Sequence, residues 1–316
     1  MIVADFRINR NSKEIKYICI ADSTYVLLLY CLSKSLTDIQ STLFVVGCKF
    51  PKSILNRLPN YIILEIGQTS NHIRIIYEIL RERKQLSKKY PFILKLPLYG
   101  IDHVLKSYVL LNYKKMVVIE DGYGLYNPPK STNNILHKFI AWVFGIPNKT
   151  FGRGGHCSSI IYTGLLPYQN KGKQLIKISV SKELERDIDR HNFIFKVYDI
   201  TPEDLLIFKN KKIILITQPF EELGIYTEKE KVSIYRKCID IYDSREVIIK
   251  THPRDNTNYS ILFPNISVYT KPIPLEILSI LGIKFEIAYT YSSTAIYSLP
   301  NNTKKIILKE KQEEII

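Results

Sequence analysis

Two short segments supply acid–base chemistry from opposite halves of the chain: Ile119-Glu120-Asp121-Gly122 and Lys250-Thr251-His252-Pro253-Arg254. Each follows a β-branched run, Met116-Val117-Val118 or Val247-Ile248-Ile249, so each sits where a strand is expected to end. In open α/β sheets the crevice beyond the carboxyl ends of the strands is where ligands bind. A carboxylate able to take a proton and an imidazole able to give one, presented from two such ends, suit group transfer.

Asp121 precedes Gly122, and a glycine there lets the chain turn tightly or lets a ligand approach the backbone. Asp-Gly is also a common turn dipeptide, so the same pair has a purely structural reading. Side chains alternate along a strand, which predicts that Glu120 points away from Asp121 and that only one of the two meets a substrate. His252 is flanked by Lys250 and Arg254, a positive setting that favours an anionic ligand such as a phosphate. Pro253 removes a backbone donor and stiffens the turn.

A third element, Thr290-Tyr291-Ser292-Ser293-Thr294, follows the expected strand 285–290 and opens an apolar segment. Hydroxyls at a helix start cap it, and a helix start also presents N–H groups to a phosphate. Together with Thr217-Gln218-Pro219, the second half then holds three anion-compatible strand ends. Glu276, after Pro274, is favoured by the helix dipole whatever its role, and could equally accept hydrogen bonds from ribose hydroxyls. No Asp-x-Asp pair follows a strand to hold a divalent ion.

These residues need a frame that presents strand ends. In the first half, expected strands at 16–21, 42–46, 61–65, 92–96 and 116–120 alternate with helices starting near Ser23, Lys52, Ser70 and Ile101. In the second half the expected strands are 193–197, 212–217, 246–250, 266–269, 285–290 and 305–308. This βα alternation predicts parallel sheets covered by helices. Thr227 with Glu230 forms a capping box, followed by Val232, Tyr235, Ile239 and Tyr242 at helical spacing. The segment 128–173 is rich in proline and glycine, with a short apolar helix around Phe139 to Phe144. The expected hinge follows at Gln169 to Lys173, giving domains 1–172 and 173–316, and a last helix is expected after the final strand.

The length of 316 residues fits about two domains. A net charge of +15 attracts anions, whether nucleic acid, an acidic membrane leaflet or a phosphorylated substrate. No basic arm interleaved with aromatics, zinc-finger spacing or aromatic RNA-binding strand accompanies it, which argues against nucleic acid. Five scattered cysteines without a CxxC pair argue against a disulfide framework or zinc site and for a reducing compartment. The amino terminus has no long apolar run, and the stretch 25–32 is too short to span a bilayer. A cytoplasmic protein is expected, with peripheral contact to the inner membrane through its charge.

Taken together the segments resemble the bacterial sialyltransferases of glycosyltransferase family 52, the lipooligosaccharide and capsular polysaccharide group. The resemblance runs from Leu215-Ile216-Thr217-Gln218-Pro219 through Lys250-Thr251-His252-Pro253-Arg254 to Ile273-Pro274-Leu275-Glu276 and Ser292-Ser293-Thr294, with Tyr99-Gly100-Ile101-Asp102-His103 and Glu120-Asp121-Gly122 in the first half. It implies a GT-B fold, two Rossmann-like domains facing each other across a cleft. It also implies an inverting, metal-independent transfer of sialic acid from CMP-sialic acid to a sugar hydroxyl, galactose being the expected acceptor. By that analogy Asp121 is the base and His252 the acid, Ser292, Ser293 and Thr294 hold the phosphate, and Glu276 the ribose. Gly100, Asp102 and His103 fall on the acceptor side, and Glu221 and Glu222 are rival carboxylates on the donor side. The partners implied are a nucleotide-sugar donor and a glycan acceptor, with no cofactor. Another nucleotide sugar, an epimerase or hydrolase on the same fold, and a non-catalytic anion-binding protein are the alternatives.

Overall fold

Parallel pairing dominates both sheets, because the strands are short apolar runs buried on both faces. Thr42–Val46 and Val247–Lys250 are buried at every position. The computed structural model describes residues 3–8, 14–66, 71–112, 114–128, 135–168 and 172–308. Two compact units divide the chain, Met1–Val197 and Tyr198–Ile316.

The first unit holds β1 (Val3–Ile8), β2 (Tyr17–Ile20), β3 (Thr42–Val46), β4 (Asn60–Leu64), β5 (Leu98–Gly100), β6 (Met116–Ile119), β7 (Cys157–Tyr162) and β8 (Gln174–Lys177). They form one sheet in the order β1-β4-β3-β2-β5-β6-β7-β8, with β1 antiparallel to β4 and the other pairs parallel. Ile20, Gly100 and Val118 are register partners across β2, β5 and β6, so these three strands end level with one another.

The second unit holds β9 (Ile213–Ile216), β10 (Val247–Lys250), β11 (Ser267–Tyr269), β12 (Ile287–Thr290) and β13 (Lys304–Ile307), all parallel, in the order β11-β10-β9-β12-β13. Lys250, Ile216 and Thr290 are register partners. The helix Glu228–Ile239 covers one face with Val232, Tyr235 and Ile239 against Ile213, Leu215, Val247 and Ile249. Its start carries the reciprocal Thr227–Glu230 capping box that the sequence predicts.

Several expectations are corrected. The run 92–96 is a 3₁₀ turn at Ile93–Lys95, and the strand lies beyond Pro97 at Leu98–Gly100. Leu96 is extended, as a residue before proline must be, and this ends the turn. The run 193–197 belongs to the helix Ile188–Tyr198, where burial at Arg190, Ile194, Val197 and Tyr198 follows a helical period that its aromatic and β-branched residues disguise. Strands β1, β7 and β8 were not expected. β8 extends the first sheet past the expected 172/173 boundary, and the first compact unit runs on to Val197. The helix start at Ser70, part of the 169–173 hinge and the chain after Leu308 lie outside the described residues. All five cysteines are free.

Candidate active site

In the first unit the level ends of β2, β5 and β6 impose a two-residue alternation on the residues just past them. Two positions beyond the register partners stand Asp22, Asp102 and Glu120, and three positions beyond stand Ser23, His103 and Asp121. Asp121 Oδ1 accepts a hydrogen bond of 2.8 Å from Ser23 Oγ, and Oδ2 lies 3.5 Å from His103 Nε2. Ser23 Oγ also accepts from the N–H of Val26, so the residue that caps the helix Thr24–Leu32 fixes Asp121 as well. The His103 ring stacks on Phe151 at 4.3 Å between centroids. Asp121 keeps 24% of its side-chain surface exposed, enough to meet a substrate. Gly122 has φ +68°, the left-handed conformation its turn requires.

Glu120 and Asp102 are turned inward, Glu120 as strand alternation predicts. Glu120 is 1% exposed and accepts from Thr163 N–H, Thr163 Oγ1 and Tyr25 OH. Burial raises its pKa, against the pull of those bonds. Asp102 is fully buried and accepts from the N–H groups of Phe151 and Gly152 at 2.7 and 2.9 Å, with His156 Nε2 2.9 Å away. It fixes the turn that carries Phe151, whose φ of +55° is unusual for a bulky residue. Gly100 is structural too: φ is +118°, and a Cβ there would stand 2.2 Å from Ile20 O.

In the second unit, register brings His252, Gln218 and Ser292 to equivalent places, each two residues beyond Lys250, Ile216 and Thr290. The backbone N–H of His252 donates to Thr217 Oγ1, a fully buried hydroxyl. Nδ1 of His252 accepts the N–H of Arg254 at 3.0 Å, so the neutral ring carries its proton on Nε2. Burial above all, then the charges of Arg254 and Lys250, bring this imidazole down to about 4, with Asp255 opposing. Pro253, Arg254 and Ser292 are exposed. Ser293 Oγ caps the 3₁₀ turn Thr294–Ser298, while its own N–H donates to Thr290 Oγ1.

Several other expected residues are tied into the frame. Lys250 Nζ is buried and donates to Thr251 O and Lys271 O, tying the ends of β10 and β11 together. Burial lowers it to about 8, partly offset by the charge of Glu276. Glu276, in the first turn of Leu275–Ile280 after Pro274, is 6% exposed. The backbone N–H of Gln218 donates to Tyr235 OH. Glu222 Oε1 accepts the N–H of Asn256, which binds it to the loop after β10, while Glu221 is exposed.

Sequence reasoning missed the support beneath His252. Lys231 and Asp255 form a 2.7 Å ion pair with both side chains fully buried. Asp255 also accepts from Tyr259 OH at 2.7 Å and from Thr257 N–H. A lysine on the apolar stripe of the capped helix, one turn before Tyr235, was the available signal. Ser23 and Phe151 were missed as well, and nothing local in the sequence marks Phe151. Among the described residues no group of three or more His, Cys, Asp or Glu side chains is placed to hold a metal ion, and no helix is long and apolar enough to cross a membrane.

Residues 80–311 match glycosyltransferase family 52. The chain belongs to that family. This glycosyltransferase is 27% identical over 293 residues to an uncharacterized protein of Haemophilus influenzae, covering 90% of this chain and 92% of that one. Its fold is similar to the sialyltransferase of Photobacterium damselae, residues 113–497 of which form a GT-B domain (TM-score 0.58, 11% identity, 92% of this chain and 89% of that one). It is also similar to the galactoside α-2,3-sialyltransferase of Photobacterium phosphoreum (TM-score 0.54, 10% identity, 93% and 90%). A third is the 2,6-sialyltransferase of Photobacterium sp. JT-ISH-224, solved with CMP and lactose (TM-score 0.56, 11% identity, 91% and 70%). The family 52 chain is thus an α/β enzyme of GT-B type.

Proposed function

We propose that this family 52 glycosyltransferase moves sialic acid from CMP-sialic acid to a sugar hydroxyl of a bacterial surface glycan, with inversion and without a metal ion. The observation that carries the reading is the alignment in the second unit: an imidazole with Nε2–H, a glutamine and a serine occupy matched places past three adjacent parallel strands. Such an edge offers neutral donors and the Arg254 charge to a leaving nucleotide phosphate, a role in which placed hydrogen bonds contribute several kcal/mol, roughly 3 each. The solved relative that holds CMP and lactose supports the choice of donor and acceptor classes.

In this reading the neutral His252 ring donates a hydrogen bond from Nε2–H to the departing phosphate oxygen and keeps its proton, so the phosphate leaves as an anion stabilised by that bond. Ser292, Ser293 and Thr294 hold that phosphate, and Glu276 accepts hydrogen bonds from the ribose hydroxyls. Asp121 takes the proton of the attacking hydroxyl, and His103 and Ser23 hold its carboxylate in place. Glu221 is the rival base, being exposed, whereas Glu222 is committed to Asn256 N–H. Transfer with another nucleotide sugar is the competing reading.

Incubation with CMP-sialic acid and a galactose-terminated acceptor, beside UDP-sugars and with a chelator present, tests the proposal. Acceptor-dependent CMP release supports it. Turnover of a UDP-sugar alone, or turnover abolished by the chelator, overturns it.

A further inference from the structure

The charge of this chain is unevenly distributed. Residues 122–182 contain no aspartate or glutamate and eight lysine or arginine residues, from Lys130 to Lys182, so this stretch alone contributes +8 of the net +15. In the middle of it lies the helix Ile135–Phe144.

The outer face of that helix is apolar where solvent should favour polar groups. Phe139 is 59% exposed, Trp142 72% and Val143 38%, and the Phe139 and Trp142 rings lie 6.2 Å apart. Lys138 is exposed beside them. The helix ends in a rigid cap: Gly145 has φ +61°, its N–H donates to Trp142 O, and the N–H of Ile146 donates to Ala141 O at 2.9 Å. On the neighbouring helix His72–Lys89, Arg83 Nη1 donates to Phe144 O at 2.9 Å, which fixes the two helices together. The acidic residues Glu78 and Glu82 of that helix are 7% and 0% exposed, so they do not offset the lysines at the surface.

Beside Trp142 a cavity of about 330 Å³ is rimmed by Lys114, Lys115 and Lys138. Lys114 and Lys115 donate to backbone carbonyls of Leu96 and Gly155, which hold them in place. Exposed aromatic rings ringed by cations are the two signals that together give stable adsorption to an anionic bilayer: apolar insertion at the headgroup boundary and attraction to lipid phosphate. Tryptophan in particular favours that boundary.

We infer that the face formed by Phe139, Trp142, Val143 and Lys138, with the Lys114–Lys115 cavity beside it, docks this enzyme on an anionic phospholipid surface. This placement does not depend on which sugar is transferred.

Trp142 is the sole tryptophan, so its emission reports directly on the face. The full chain is titrated with vesicles of phosphatidylcholine and with vesicles of an equal mixture of phosphatidylcholine and phosphatidylglycerol. The expected result is a blue shift and co-sedimentation with the anionic vesicles alone, both diminished by salt. Lys138→Glu is expected to weaken partition about ten-fold or more, since each cation near the surface is worth about 1 kcal/mol. Phe139→Ser is expected to weaken it while leaving the thermal melt unchanged. Emission indifferent to vesicles, equal binding to neutral vesicles, or binding unaffected by both substitutions overturns the inference. So does a shift that follows protein concentration without lipid, which would make the face a contact between copies.

Discussion

The backbone N–H of Arg254 donates to Nδ1 of His252 at 3.0 Å, and this one bond decides which ring nitrogen carries the proton. With Nδ1 occupied as an acceptor, Nε2 is left as the donor of a neutral imidazole. Hydrogen-bond donation to a leaving phosphate therefore needs no charged ring in the resting enzyme.

His252 titrates at about 4, well under the usual histidine range, because burial and the Arg254 and Lys250 charges disfavour the cation. The unfolded chain takes up this proton first, so the contribution to stability is complete above the ordinary histidine pKa and is lost as pH falls from about 6.5 to about 4. NMR of the ring should show a neutral Nε2–H form down to that range. Addition of CMP should move the titration upward, because a phosphate stabilises the imidazolium. A titration near 6.5 in the free enzyme would refute the geometry.

Asp121→Asn should lower kcat by at least about 100-fold with an unchanged melting temperature, as expected for loss of a general base. Ser23→Ala should cost about 1 kcal/mol through the lost helix cap and reduce turnover only a few-fold. Steady-state kinetics with a thermal melt separates the two. Full activity of Asp121→Asn would move the base to another carboxylate.

Asp102→Ala should act on stability instead. It strips two backbone N–H groups and His156 of a buried acceptor, a loss of roughly 3 kcal/mol that a denaturant titration would read. Because Phe151 then loses its anchor, the His103 ring should also become mobile.

Lys231→Met should destabilise the second unit by roughly 3–5 kcal/mol, since Asp255 would be left charged and buried. The double change Lys231→Met with Asp255→Leu should recover part of that loss in chemical denaturation while leaving turnover low, because the support of the His252 loop is gone. Recovery of both stability and activity would mean that the pair does not position His252.

Gly100→Ala should cost about 3 kcal/mol or more, because its left-handed φ and the 2.2 Å approach to Ile20 O leave no room for a methyl group. Soluble expression and melting temperature would show it. Gly155, whose added Cβ would meet nothing within 4 Å, serves as the tolerant control.

Much of the frame was legible because burial on both faces forces continuous apolar runs. Thr42–Val46, Met116–Ile119, Ile213–Ile216 and Val247–Lys250 were read nearly to the residue for that reason. The run 193–197 misled because apolar β-branched and aromatic residues serve a buried helix face as well as a strand, and only the burial period separates them. β7 was hidden in a segment whose glycines and prolines suggested a hinge, and β8 follows directly after it. At the site, the opposition of Glu120 and Asp121 followed from strand alternation. The inward commitment of Asp102 did not, because its three partners lie 49 to 54 residues away.

By itself, then, the sequence determined which residue types stand at the strand ends, since each end is set by a local switch from β-branched residues to polar, glycine and proline residues. The tertiary structure alone decided that Ile20, Gly100 and Val118 pair in one register, and that Lys250, Ile216 and Thr290 pair in another. Register is a property of strands distant in the chain, fixed by the packing of two buried faces and by backbone hydrogen bonds that no single segment encodes. It is register that sets Ser23 and His103 beside Asp121 and sends Glu120 and Asp102 into the interior.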